Sequence, residues 1–161
     1  MNEILTVSGV SAGYGPLRVL HDISFTIYRG ERVGLVGLNG HGKSTLFRTI
    51  TGLVDWQNGS IMLNGVQIGG QRTHGPGRMT HRIARQGVAL MPQGDAMFIG
   101  LTVRQHLDAG AFTRKAWSER HKRRERILDI FPPLRNLLGQ PVGKLSGGER
   151  RMVTLGRGLM G

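Results

Sequence analysis

The stretch Gly37-Leu38-Asn39-Gly40-His41-Gly42-Lys43-Ser44 constrains this chain more than any other. Residues 32–36, just before it, form a short and nearly all-apolar run, as a buried parallel strand would. Residues 43–50, just after it, carry a helical pattern. Backbone that passes from strand to helix in so few residues must bend sharply, and glycine permits the bend. Successive N–H groups then turn inward at a helix N-terminus, where partial positive charge collects. That arrangement cradles phosphate groups. The spacing also fits G-x-x-x-x-G-K-S/T, and the chemistry accounts for each residue type. Gly37, Asn39, Gly40 and Gly42 supply backbone. Lys43 can reach the β- and γ-phosphates, and the Ser44 hydroxyl can ligate Mg2+. Thr45 is placed to bond the α-phosphate. A glycine-rich turn that merely caps a helix is the competing reading, and the flanking strand and helix count against it. His41 sits where the backbone is used, so it receives no catalytic or metal role.

Leu145-Ser146-Gly147-Gly148-Glu149 is the second and sharper signal. Ser146 and Glu149 fit a capping box, which opens a helix at Ser146 and carries it to the chain end. A capping box does not call for two glycines, however. Gly147 and Gly148 leave the helix N-terminus bare and open to another anion. The following turns are expected to place Met152, Leu155 and Leu159 on one inward-packing face.

Elsewhere the periodicity gives strands at 3–8, 22–28 and 60–63, the last closed by the turn Asn64-Gly65. A buried strand is expected at 88–91, stopped by Pro92. Residues 69–77, rich in glycine, read as an exposed connection, and 79–85 as a short helix. A helical pattern runs from 102 to 130 and ends at Phe131-Pro132-Pro133.

The 161 residues suffice for one domain with a core. With no cysteine, disulfides and cysteine-ligated metals are excluded, which fits a reducing compartment. The N-terminus lacks the basic-then-apolar layout of a signal peptide, and no apolar run is long enough to span a bilayer. A net charge of +12 points to a polyanion: nucleic acid, an anionic lipid surface or a phosphate-rich ligand. The densest basic run, Arg120, Lys122, Arg123, Arg124 and Arg126, reads first as a solvated helix face.

A phosphate loop followed by Leu-Ser-Gly-Gly-Glu resembles the ATP-binding-cassette (ABC) superfamily. The resemblance implies that Ser146, Gly147 and Gly148 grip the γ-phosphate of ATP held by the phosphate loop of a second subunit, so that two subunits enclose two ATP molecules. It also implies that Tyr14, beside Gly15, stacks on adenine. Gln93, after the strand at 88–91, would touch Mg2+ and the attacking water, and its loop would sense a membrane partner.

The segments Ile83-Ala84-Arg85-Gln86-Gly87, Phe98-Ile99-Gly100-Leu101-Thr102-Val103, Gly110-Ala111-Phe112 and Phe131-Pro132-Pro133-Leu134 look like branched-chain amino acid importer ATPases, or the similar urea and amide importers. Two places depart from that subfamily. Pro92-Gln93-Gly94-Asp95 stands where Pro-Glu-Gly-Arg is frequent, and Arg150-Arg151 where two glutamines are usual.

The implied fold is α/β: a P-loop NTPase-type ABC nucleotide-binding domain with an antiparallel β subdomain and a small helical subdomain, the carboxy-terminal part of the sheet missing. The expected division is about 1–92 for the ATP-binding core and β subdomain, 93–144 for the Gln93 loop and helical subdomain, and 145–161 for the signature and its helix. The family's apolar strand ending in Asp-Glu would follow the signature helix, and its γ-phosphate-sensing histidine comes later still. The resemblance therefore implies an ATP hydrolase as the complete protein, and a chain that lacks its general base and is inactive alone.

Implied partners are two transmembrane permease subunits, a second ABC ATPase subunit (identical or paralogous) and, indirectly, a periplasmic or lipid-anchored solute-binding protein. The implied location is the cytoplasmic face of the cell membrane, held there through the permease. The alternative is a soluble ABC ATPase acting on nucleic acid or the ribosome. The net charge favours it. The short distance from Gln93 to Leu145, with room for a small helical subdomain but no long coiled-coil arm, opposes it, and nucleic acid is not the expected partner. A non-hydrolytic regulatory cassette fits poorly, because phosphate loop and signature are both intact.

Overall fold

A computed structural model describes residues 2–54, 56–69, 80–91 and 97–161, with the backbone alone at Trp56, Gln57 and Gly69. The chain folds as two compact units, Met1–Val88 and Ala89–Gly161.

The first unit is built on a four-stranded antiparallel sheet in the order β2-β1-β3-β4. Its strands are β1 (Glu3–Tyr14), β2 (Leu17–Tyr28), β3 (Trp56–Leu63) and β4 (Val66–Gly69). The first three extend past the ranges that alternation alone marks. In β1 the reason is visible in its burial. Val10, Ser11 and Ala12 are buried in succession, so the strand does not alternate there, and the register shifts against both neighbours at that point. Helix α1 (Lys43–Ile50) follows the glycine-rich loop. Its buried Leu46 and Ile50 join Val7, Val10, Ala12, Leu20, Ile61, Leu63 and Ile68 from the sheet in one core. Helix α2 (Thr80–Arg85) adds Ile83 to it.

Two expected strands are not strands. Residues 31–38 enter no ladder, and Val33, Leu35, Val36 and Leu38 are exposed, Val36 almost wholly so. Residues 88–91 are likewise unpaired. An apolar run becomes a buried strand only when neighbouring strands take up its N–H and C=O groups. Among the described residues no strand lies beside either run.

The second unit is helical. The pattern at 102–130 resolves into α3 (Val103–Gly110), α4 (Arg114–Ser118) and α5 (Arg120–Ile130). Two caps break it. Thr102 and Gln105 form a capping box that opens α3, and the Thr113 hydroxyl accepts from Ala116 N to open α4. Helix α5 ends before Pro132, where a 3-10 turn (Pro132–Leu137) begins. Helix α6 (Gly147–Leu159) starts at Ser146 as expected.

The core joins Val103 and Leu107 of α3, Ile127 and Leu128 of α5, Leu134, Val142, and Val153 and Met160 from the α6 segment. The inward face of α6 differs from the expected one. Val153, Gly156 and Met160 are buried and Met152 packs at the edge, whereas Leu155 and Leu159 are exposed. The helix turns its glycine inward because a Cβ at Gly156 would lie 2.7 Å from Ile127 Cγ2 and 2.9 Å from Leu107 Cδ2. Among the described residues of this unit, the buried polar side chains Arg124 and His106 each make a polar contact. Arg124 donates to Asp108 Oδ1 at 2.5 Å, and His106 Nε2 lies 3.0 Å from the Phe98 carbonyl.

Candidate functional site

The phosphate-loop residues converge at the start of α1. Gly42 is the N-cap and adopts a left-handed conformation, φ 78°. A side chain there would be strained, and its Cβ would approach Leu20 Cδ2 at 3.0 Å. A glycine N-cap carries no side chain to cover the helix end, and no acidic residue occupies the first turn. The N-terminal N–H groups of α1 and its dipole therefore meet no carboxylate of their own turn. A Cβ at Gly40 would meet nothing within 4 Å, and one at Gly37 would meet only Lys43 Cδ at 3.9 Å, so this side of the loop is open.

Lys43 Nζ donates to the carbonyls of Gly37 at 2.7 Å and Leu38 at 2.6 Å. The ammonium thus folds over the loop that carries it and sits against the cradle. Asn39 and Ser44 are exposed, and Thr45 is buried on α1. These features fit a phosphate-bearing anion: uncapped donors, an open glycine wall and one fixed cation in a single turn. A bound ATP would bring three phosphates to this end of α1, and a Mg2+ ion with it would find the Ser44 hydroxyl as a protein ligand. No group of three His, Cys, Asp or Glu among the described residues could hold a metal ion alone.

Tyr14, expected as an adenine platform, ends β1 at the hairpin turn and is exposed. Arg48 of α1 donates to its phenol oxygen at 3.3 Å. That bond, and then the Thr45 hydroxyl, hold the phenol below its ordinary pKa. The structure therefore brings Tyr14 to the helix that the phosphate loop opens. Arg48 was missed in the sequence, because a single arginine on a helix face carries no spacing signal toward a residue 34 positions away.

In the second unit, Ser146 Oγ accepts from Glu149 N at 3.3 Å, and Glu149 Oε2 accepts from Ser146 N at 2.7 Å. The capping box is thus complete. The Ser146 backbone N–H, and then its hydroxyl, hold the Glu149 carboxyl below its usual range. Gly147 and Gly148 are exposed, and a Cβ at either would meet nothing within 4 Å. The first turn of α6 is therefore capped and yet open on its outer side. Gln93 lies outside the described residues.

Comparison with known proteins agrees with this anatomy. The family pattern described as "ABC transporter" matches residues 20–161. The high-affinity branched-chain amino acid transport ATP-binding protein BraG of Pseudomonas aeruginosa is 35% identical over 157 residues, 98% of this chain and 64% of BraG. The lipopolysaccharide export system ATP-binding protein LptB of Haemophilus influenzae is 34% identical over 161 residues, 98% of this chain and 63% of LptB. The solved structure of CbiO1 from Clostridium perfringens, part of the ABC transporter complex CbiONQ, superposes with a TM-score of 0.81 at 26% identity. That match covers 99% of this chain and 62% of CbiO1. The chain spans less than two thirds of the length of each of these proteins. The fold is the α/β fold of an ABC nucleotide-binding domain, and with both glycine-rich motifs on helix starts and the family pattern running through them, the chain belongs to the ABC transporter family.

Proposed function

We propose that the protein carrying this chain is the ATP-binding and ATP-hydrolysing subunit of a membrane transporter, and that it powers import of branched-chain amino acids. The observation that carries the ATP part is the start of α1. There an uncapped helix N-terminus, an open glycine wall and Lys43 share one turn. In this reading Gly37, Asn39, Gly40 and Gly42 give backbone donors, Lys43 and Thr45 bind phosphate oxygens, Ser44 and Gln93 hold Mg2+, and Tyr14 stacks on adenine. Ser146, Gly147 and Gly148 close on the ATP of a second ABC subunit. The protein then works on the inner face of the cell membrane beside two permease subunits, with a solute-binding protein delivering the cargo.

BraG supports the choice of solute, together with the four sequence segments that look like amino acid importers. LptB, one percentage point less identical, makes lipopolysaccharide export the competing reading. The test is accumulation of labelled leucine in cells with the gene intact and with Lys43→Ala. Loss of uptake in the variant supports import. Unchanged uptake with lipopolysaccharide retained inside the cell would replace import with export.

A further inference from the structure

We propose that the exposed surface of α4 and α5 is a docking face for an anionic lipid bilayer. Residues 97–161 hold thirteen lysines and arginines and five carboxylates. Every one of those carboxylates is already engaged. Asp108 pairs with Arg124, Glu119 with Arg123, and Glu125 and Asp129 both with Arg135. Glu149 is spent on its capping box. The positive charge left over is therefore not balanced among residues 97–161.

Much of that excess collects on two consecutive helices. Arg114 and Lys115 on α4, and Lys122 and Arg126 on α5, are exposed and make no ion pair among the described residues. Helix α5 separates its charges by face. Lys122 and Arg126 stand one turn apart, and exposed Ile130 extends the same strip. Glu125 and Asp129 line the neighbouring strip, where Arg135 pairs with both. Between the α4 and α5 cations, Trp117 is 52% exposed, and the Arg120 guanidinium lies 4.5 Å from its ring centroid.

Cations alone would suit any polyanion. Large apolar side chains exposed among them suit the boundary between lipid headgroups and acyl chains, where tryptophan and arginine are favoured. Nucleic-acid backbones need only the cations. No helix among the described residues is long and apolar enough to cross a membrane, so contact through this face is peripheral. It would hold the protein at the bilayer independently of any permease and of the ATP site.

The test is co-sedimentation of the purified full chain with phosphatidylglycerol/phosphatidylcholine vesicles and with phosphatidylcholine vesicles alone. Binding is expected to the anionic vesicles only, and to weaken as salt is raised. A variant with Arg114→Gln, Lys115→Gln, Lys122→Gln and Arg126→Gln should partition on the order of several hundredfold less, since each of the four surface cations is worth about fivefold. A control with Arg82→Gln, Arg85→Gln, Arg104→Gln and Lys144→Gln removes the same charge elsewhere and should bind nearly as wild type. Far-ultraviolet dichroism confirms that both variants fold. Trp117 emission, read in a Trp56→Phe background, should shift to the blue on the vesicles. Equal losses in patch variant and control, or no binding at all, overturn the proposal. Tighter binding to duplex DNA or RNA than to vesicles, lost in the patch variant, makes nucleic acid the occupant and overturns it as well.

Discussion

The Arg48 guanidinium donates to the Tyr14 phenol oxygen at 3.3 Å, which ties the end of β1 to the last turn of α1. The aromatic ring and the phosphate loop are thereby referred to one helix. A shift of α1 would move both ends of the proposed nucleotide site together.

Replacing Arg48 with glutamine removes the largest cause of the lowered Tyr14 pKa. The phenol should then titrate closer to its ordinary value of 10.0. Spectrophotometric titration of tyrosinate in a Tyr28→Phe background isolates Tyr14. The folded pKa lies below the unfolded one, so the tyrosinate stabilises the fold above the unfolded value. That contribution is lost as pH falls through the folded value. Wild type and Arg48→Gln should therefore diverge in alkaline melts, and this source of difference should vanish at neutral pH. Superimposable titrations would dissolve the link between the two residues.

Lys43→Ala removes the side-chain cation seated against the loop carbonyls of Gly37 and Leu38. A hydrogen bond to a charged group is worth about 1.5–3 kcal/mol, so affinity for ATP should fall roughly ten- to hundredfold. Titration of the complete protein with a fluorescent ATP analogue measures it. An affinity that does not change would remove Lys43 from the phosphate site.

Ser146 accepts the Glu149 N–H as the cap of α6. Ser146→Ala should cost about 1 kcal/mol, which lowers the melting midpoint by about 2–4 °C in a chain of this length. Glu149 adds a pH dependence. Its folded pKa lies below the ordinary value of 4.5, so the carboxylate stabilises the fold above that value and ceases to do so as pH falls through the folded one. Glu149→Gln should melt below wild type at neutral pH and level with it in strong acid. A gap that persists in acid would point to lost packing rather than lost charge.

Much of this anatomy is readable in the sequence where the cause is local. The helix starts at Lys43 and Gly147 follow from a glycine loop and a capping box, both written within a few residues. The antiparallel hairpins follow from alternation and turns. Runs 32–36 and 88–91 mislead, because a buried strand is a property of its neighbours and its own composition cannot supply them. Residues 102–130 read as one helical pattern because helix periodicity survives a break, and only Thr113 marks where α4 restarts. The α6 face misleads for a further reason. Hydrophobic periodicity favours large side chains, and here the residue that lets helices meet is Gly156, which has none.

That contact leads to a stability prediction that helix propensity alone would get wrong. Glycine to alanine inside a helix ordinarily gains about 1 kcal/mol. At Gly110, the end of α3, a Cβ would lie 2.0 Å from the Arg157 carbonyl oxygen of α6. Backbone cannot rotate away from such a clash, so α3 and α6 must separate. Gly110→Ala should destabilise by about 3 kcal/mol or more, at the upper end of overpacking costs. At Gly156 the obstructing atoms are side-chain methyls of Ile127 and Leu107, which can yield in part. Gly156→Ala should therefore cost at most about 2 kcal/mol after the propensity gain is subtracted. Urea denaturation of both variants tests the order. If Gly156→Ala proved the more damaging, α3 and α6 would not approach through Gly110 as the structure places them.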